Sequence, residues 1–498
     1  MLTKIIKELK KPFNLFLLTI CLLALFVRVY RIDQLLGFYY DQGRDALVIW
    51  DFWHNGKLFL IGPTTGIAGI YRGPWYYWLI APFYLIGQGN PVFPSVFLSL
   101  TTVAAIFLSY KIGVKIGGKT SGIIALLVGG FSFYLVHASR WLSNPTPMLL
   151  ISVMVIFSLF KVMEGKKKFW ILLAFLLGMA MQFGSAAEVF YFPAVLLIMF
   201  WKKLFPDKKT LLLSIVVFGI SFLPQIAFDI KHDGILRANI AKFLFEEGSF
   251  KATFWEMVKI RLPFYFEVFS SKIFPQHPKY GVFFAYVLAF LLLIQRKVLF
   301  KNPRFVIIFT FFMSPLLGML FFQGNYGNVY DYYFTGYYLI FVLLLSIVFG
   351  NYWKHSWGKI TVVVFLFLFL KDNLPGVRNY IISGVDGPTT IALGNQMQAV
   401  EWVYKDVGDR KFNVDVYVPP VIPHTYDYLF RWQGTEKYMK LQDGSQVPLL
   451  YTLYEVDPSH PERLDAWLKR QAGIGKIVKE ERFGGIIVQQ RERIPTKK

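Results

Sequence analysis

Long apolar runs alternate with short basic breaks down to about residue 372, and beyond that point the pattern changes. The runs approach the roughly 20 apolar residues that a helix needs to cross a bilayer. Candidate spans lie near 13–30, 91–110, 120–138, 146–162, 169–184, 188–204, 210–228, 281–298, 304–322, 334–350 and 358–372, about 11 in all. A closed β-barrel would instead show short alternating segments. Residues 74–88 are apolar but short and carry Pro74 and Pro82. They fit an interfacial or re-entrant segment, since a crossing there would flip every later loop.

Between the first two spans, residues 38–78 form a polar, aromatic stretch. Ala46, Ile49, Trp50 and Trp53 recur at i, i+3, i+4 and i+7, the period of one apolar helix face. Such a helix lies in the membrane interface and holds Asp41, Arg44, Asp45 and Asp51 at headgroup depth. The stretch 229–280 alternates apolar and charged residues and predicts one or two further surface helices. After residue 390 the periods are mixed. Helices are expected at 395–405 and 424–433, strands at 412–418 and 449–456, and a hairpin from 476–483 and 485–491. Ser459-x-x-Glu462 has the spacing of a capping box opening one more helix. The fold class is therefore a polytopic α-helical membrane protein with a small C-terminal α/β domain. Residues 1–372 form the membrane part, 31–90 and 229–280 its two long extracytoplasmic loops, and 390–498 the soluble extracytoplasmic domain.

Charge fixes the expected orientation. Net charge is +22, but the Lys and Arg residues gather in the short breaks, which argues for topology rather than nucleic-acid binding. Lys4, Lys7, Lys10 and Lys11, then the breaks around Lys115, Lys167, Lys203, Lys297 and Lys354, fall on one side without adjustment. The positive-inside rule makes that side cytoplasmic and predicts an integral plasma-membrane protein with a cytoplasmic N-terminus. Val27-Arg28-Val29-Tyr30-Arg31 offers no small-residue cleavage site, so the first run reads as an uncleaved span. The single Cys21 excludes an intramolecular disulfide and reads as packing.

Polar residues able to do chemistry all gather on the side opposite the basic loops. No zinc spacing, phosphate loop or dinucleotide fingerprint is present, so no cofactor is certain, and a divalent metal stays open although no ligand spacing indicates one. Asp41 leads as a general base toward an acceptor hydroxyl or amine. Asp45, one turn on, would tune it or bind acceptor; capping charge at a helix start explains Asp45 equally. Arg72, in Tyr71-Arg72-Gly73-Pro74-Trp75-Tyr76-Tyr77, suits phosphate, and the aromatic faces suit sugars and isoprenoid chains. Arg140 breaks the local charge bias in His137-Ala-Ser-Arg-Trp-Leu-Ser-Asn144 and suits an anion. Glu188 opens a span, where an acid needs a cavity or a partner. Lys231 and His232 close another span, and Asn325, Tyr326, Asp331, Tyr332 and Tyr333 form a polar aromatic loop. For each of these, snorkelling or an interfacial belt is the plain alternative.

Asp41 soon after the first span, an interfacial helix, and then Pro74-Trp75-Tyr76-Tyr77-Trp78-Leu79 resemble the GT-C glycosyltransferases. The likeness is to family 39, the protein O-mannosyltransferases and lipid A aminoarabinose transferases. Asp41-Gln42 stands for that family's Asp-Glu motif, Arg72–Leu79 for its His-Pro-Pro-x-Tyr-Tyr-x-Leu-like segment, and Ser139-Arg140 for its Ser/Ala-Arg turn. The resemblance covers residues 10 to 200 well. Gln42 and Asn144 stand where relatives carry acids, and the oligosaccharyltransferase WWDYG signature is absent.

The resemblance implies inverting transfer of a sugar from a polyprenyl-phosphate donor to a protein, lipid or glycan acceptor at the extracytoplasmic face. Asp41 would be the base, with Arg44, Asp45 and Glu188 in acceptor binding or support. Arg72, Arg140, Lys231 and His232 would face the donor phosphate, and Tyr40, Tyr71, Tyr76, Tyr77, Asn144 and Tyr332 the donor's sugar and lipid. A transporter or flippase of a lipid-linked glycan is the competing class, as is a glycan-binding assembly protein of the cell envelope. A transporter should carry ionisable groups mid-span and often repeated halves, whereas charges are nearly absent from these spans and sit on one side.

Overall fold

The structure is a computed structural model that describes residues 11–67, 69–246, 252–322, 327–419 and 422–495. Lys4, Lys7, Lys10, Asn325 and Tyr326 of the sequence reading lie outside the described residues. The chain is a polytopic helical membrane protein. Five described helices are long and apolar enough to cross a bilayer, six if a pair bent by 50° counts as one.

The first helix, α1 (Pro12–Val29), leads into α2 (Tyr40–Asn55) and α3 (Trp75–Ile86). At about 1.5 Å per residue, the 12 residues of α3 reach only about 18 Å, short of a hydrocarbon core of about 30 Å. In α2 the expected face is inward: Ala46, Ile49 and Trp50 are buried. Helix α4 (Val92–Phe131) joins two expected spans and reverses at Gly118, whose φ of 84° suits glycine. Gly122 then faces Tyr110 and Val114, and Gly129 faces Ile106, so the two arms pack as a hairpin.

The path continues through α5 (Phe133–Arg140), α6 (Met148–Met163), α7 (Lys168–Phe183), α8 (Tyr191–Lys202), α9 (Lys208–Ile220) and α10 (Leu223–Lys231). Helices α11 (Ile235–Phe245) and α12 (Phe254–Phe266) supply the expected amphipathic pieces; α13 (Pro278–Leu299), α14 (Pro303–Gly318), α15 (Tyr338–Tyr352) and α16 (Ser356–Ile382) complete the bundle. Lys115, Lys161 and Arg304 all meet Glu164. Three of the basic breaks thus share one end of the bundle.

The C-terminal part holds α17 (Leu393–Val407), β1 (Asn413–Tyr417), α18 (His424–Glu436), β2 (Leu449–Glu455), α19 (Pro461–Ile474), β3 (Gly475–Phe483) and β4 (Ile486–Arg493). The sheet runs β1-β2-β4-β3, with β1 parallel to β2 and the other pairs antiparallel. The Ser459 capping box does not form. His460 is the N-cap, its N–H donates to Asp457 Oδ1 at 3.0 Å, and Pro461 with its fixed φ sets the start.

This sheet domain grips the first loop of the membrane part. Gln396 Nε2 and Thr425 Oγ1 donate to Phe38 O at 2.9 and 3.3 Å, and Leu393 N to Leu36 O at 2.9 Å. Trp432 Nε1 donates to Gln88 O at 2.7 Å, and Arg431 reaches Asp51 at 3.1 Å. Under the clamp lies Glu455, 7% exposed, which accepts from Tyr426 Oη at 2.9 Å. Gln396 Oε1, buried and without a donor, is beside it. Burial pushes the Glu455 carboxyl from 4.5 up to about 7, against the hydroxyl of Tyr426 and the amide of Gln396.

The folded group therefore holds its proton through a window in which the unfolded group has lost it, and stability falls as pH rises from 4.5 towards 7. Glu455→Gln keeps an acceptor for Tyr426 and brings a permanent donor for Gln396. It is expected to raise the thermal midpoint at pH 8, by a stabilisation of about 3 kcal/mol at most, and to change little at pH 5. Thermal melts at the two pH values check this.

Candidate functional site

The start of α2 carries the polar cluster. Gln42 accepts from Tyr39 N–H at 3.1 Å and donates to Leu142 O at 3.1 Å. A Glu could do the first and not the second, so the amide ties the helix start to the α5–α6 turn. That anchorage leaves Asp41 pointing outward, its side chain 62% exposed, where the unpaired N–H groups of the first turn favour negative charge.

Arg44 bridges the two acids. Its Nη1 lies 2.8 Å from Asp41 Oδ1, while Nη2 and Nε lie 2.8 and 3.0 Å from Asp45 Oδ1. Tyr77 Oη donates to that same Asp45 oxygen at 2.9 Å, so the Tyr-Tyr pair of α3 supports the cluster from behind. Burial pushes the Asp45 carboxyl up to about 6, against the pull of Arg44 and the Tyr77 hydroxyl. Below that pH Asp45 loses its charge, and Arg44 then pairs with Asp41 alone. Turnover at this pocket is expected to fall along an acid limb near pH 6, and Asp45→Asn to flatten that limb. A pH–rate profile of the two proteins decides it.

Arg72 sits in a short two-stranded turn where Thr64 pairs with Tyr71. Its Nη2 and Nε donate to Gly184 O at 2.8 and 3.1 Å and its Nη1 to Thr64 O at 3.1 Å. Burial lowers this guanidinium from its ordinary value, with Glu188 and the tyrosines at 332 and 333 pulling the other way. The following turn is latched by two amides: Gly73 N–H donates to Gln182 Oε1 at 2.7 Å, Gln182 to Gln225 at 2.8 Å, and Gln225 to Tyr71 O at 2.9 Å.

Two connected spaces result. A polar pocket of about 200 Å³ is lined by Asp41, Gln42, Arg44, Asp45, Thr64, Asn144 and Tyr332. It shares Asp41, Thr64, Asn144 and Tyr332 with a groove of about 600 Å³. That groove carries Tyr71 and Arg72 at its polar end, then Ile67, Met181, Val189, Phe222, Ile240 and Leu244 along its apolar walls. A carboxylate open to water, a cation and apolar walls thus line one continuous space. Among the described residues no three His, Cys, Asp or Glu side chains group as a metal site.

The structure brings Asp41, Arg44, Asp45, Arg72, Tyr71, Asn144 and Tyr332 together. Asn144 is fixed by donation to Phe183 O at 3.0 Å. Tyr40 stands over Arg44, 5.9 Å from ring centre to guanidinium, and faces His424. Tyr76 is fully buried behind the pocket. Glu188, 1% exposed, caps its own turn by accepting from Ser185 N–H at 2.6 Å and lines neither space. Lys231 and His232 are exposed at the end of α10 and line neither space; the His232 ring stacks on Phe228. Arg140 lines a different cavity. Thr64, Thr65, Ser143, Gln182 and Gln225 were not singled out from the sequence. A lone amide inside an apolar run, as at Gln182 and Gln225, is the signal that could have found two of them.

Residues 71–228 match the model of the dolichyl-phosphate-mannose-protein mannosyltransferase family. Among solved structures, ArnT from Cupriavidus metallidurans bound to undecaprenyl phosphate has a similar fold, with a TM-score of 0.58 and 10% identity over 97% of this chain and 98% of that one. The apo state of the same protein matches with a TM-score of 0.57 and 10% identity over 96% and 97%. No curated protein matches the chain in sequence. The resemblance to family 39 of the GT-C glycosyltransferases is borne out by the family match and the shared fold.

Proposed function

We propose that the protein is an inverting glycosyltransferase that moves a sugar from a polyprenyl-phosphate donor to a protein, lipid or glycan acceptor. The observation that carries this reading is that Asp41, Arg72 and an apolar lane line one continuous space. The donor's isoprenoid tail lies along Ile67, Met181, Val189, Phe222 and Leu244. Its phosphate meets Arg72, and its sugar lies in the polar pocket between Thr64, Asn144 and Tyr332.

Asp41 then takes the proton of an acceptor hydroxyl or amine while that atom attacks the sugar's anomeric carbon from the face opposite the phosphate. The carbon–oxygen bond to phosphate breaks, and polyprenyl phosphate leaves with the electron pair, its charge met by Arg72. Configuration inverts once. Arg44 orients Asp41, and Asp45 holds Arg44. The family match and the shared fold with a protein solved with undecaprenyl phosphate support the choice of donor.

The membrane part fits about 11 spans once the hairpin of α4 and the shorter apolar helices are counted as crossings. By the positive-inside rule the site and residues 390–498 then lie outside the cytoplasm, at the plasma membrane. Full-length protein in lipid, given a panel of polyprenyl-phosphate sugars with candidate acceptors, should release polyprenyl phosphate with one of them. Absence of release with every donor would overturn the reading.

A further inference from the structure

A cavity of about 610 Å³ lies apart from Asp41 and Arg72, between the membrane helices and the C-terminal part. Tyr134, His137 and Arg140 of α5 line it, with Tyr39, Asp331 and Tyr380. Thr390, Ile391 and Ala392, just before α17, close it on one side. Trp141 and Tyr332 line both this cavity and the groove, and so form the partition between them.

Arg140 in this wall is 1% exposed. Its Nη1 donates to Val27 O and Tyr30 O at 3.2 and 3.0 Å, the last carbonyls of α1. Its Nε and Nη2 are buried and, among the described residues, meet no carbonyl or carboxylate; the Tyr380 hydroxyl is the group that interacts with the guanidinium, and the Tyr380 ring centre lies 5.1 Å from Cζ. Arg28, fully buried nearby, is spent on Ala24 O, Gly130 O and Gly129 O. No described carboxylate forms an ion pair with either guanidinium. The cavity's own acid, Asp331, is paired with Lys272 at 2.7 Å.

Two buried cations without a counter-charge are costly to hold. A guanidinium edge that meets no carbonyl or carboxylate is a two-donor fork suited to an oxyanion, which would displace the weaker hydroxyl partner. We infer that this cavity is a second binding site, separate from the groove, for a phosphate or carboxylate group on a small polar ligand held by Arg140. The aromatic walls of Tyr39, Tyr134 and Tyr380 suit a sugar ring or a headgroup attached to that oxyanion.

The oxyanion arrives either on a soluble saccharide or on a lipid headgroup, and binding measured without turnover separates the two. Full-length protein carrying Arg72→Gln, which removes the groove's cation, is titrated in dodecyl maltoside with inorganic phosphate and with glucuronate. The same protein, stripped of lipid, is examined by native mass spectrometry for retained phosphatidylglycerol. Saturable binding of phosphate or glucuronate assigns the soluble source; retention of phosphatidylglycerol alone assigns the lipid.

In either case Arg140→Gln should weaken binding roughly ten- to hundredfold. Arg140 also caps α1, so Ala138→Phe serves as the second variant: it fills the cavity and leaves both bonds of Arg140 in place. Binding unchanged in Ala138→Phe, or no binding of any probe to the folded parent, overturns the site. Neither result depends on whether the protein transfers a sugar.

Discussion

Asp41→Asn is expected to lower polyprenyl-phosphate release by about 10²-fold or more, the usual cost of removing a general base. The substitution keeps size and shape and removes only the ability to accept a proton. Because the Asp41 side chain is 62% exposed and, among the described residues, bonded only to Arg44, the fold should survive. Donor affinity should hold as well, since the proposed function puts the phosphate and tail at Arg72 and along the groove. The loss should therefore fall on kcat, with KM for the donor nearly unchanged. Asp41→Glu, which moves the carboxylate by one methylene, should recover part of the rate. Release by a folded Asn variant at the wild-type rate would take Asp41 out of the chemistry. Another group would then have to take the acceptor's proton.

The second large effect is expected far from any reacting atom. Gly43 of α2 lies against the start of α18, and a Cβ built on it would sit 2.4 Å from Thr425 N and 2.5 Å from the His424 carbonyl carbon. Both neighbours are backbone and cannot turn aside, so Gly43→Val must push α2 and α18 apart. Overpacking of this kind costs about 1–3 kcal/mol and sometimes more. Asp41 and Arg44 flank the contact in sequence, and a shift of about 1 Å at a reacting group can cost about 10²-fold in rate. Gly43→Val should therefore lose most of its activity while the membrane helices stay folded, and limited proteolysis should release the C-terminal part sooner. Gly43→Ala should lie between the two. Wild-type activity in Gly43→Val would show that α2 keeps its place without the clamp.

The sequence made the membrane part legible because its signals are long-range in number and local in kind. Apolar runs of sufficient length and prolines at 74 and 82 each speak for themselves, and α1, α3, α13 and α16 stand near where they were expected. The tail was legible for the same reason: α17, α18 and the β3–β4 hairpin follow helix and strand periods. Gly118 was not legible as a reversal. It sits among Gly117 and three nearby lysines, and nothing local separates a tight hairpin from a longer loop. Asp41, Arg44 and Asp45 could be seen as a cluster because one helical turn joins them. The support behind them could not. Tyr77 reaches Asp45 from another helix, Gln182 and Gln225 latch Gly73 and Tyr71 from two more, and Arg140 turns to the carbonyls of α1, away from Arg72. Such pairings depend on which helices are neighbours, and hydropathy says only that they are helices.

The clamp on α2 also bears on how the protein is made. Phe38 O receives its bond from Thr425, 387 residues later in the chain. Synthesis runs from the N-terminus at roughly 5–20 residues per second, so the carboxylate-bearing helix waits tens of seconds for the last secondary structure to arrive. The membrane helices can insert one after another during that wait, but the Asp41 pocket takes its final shape only when the sheet has folded and docked. A nascent chain therefore stays incomplete until its end has been delivered to the same side of the bilayer as residues 36–43.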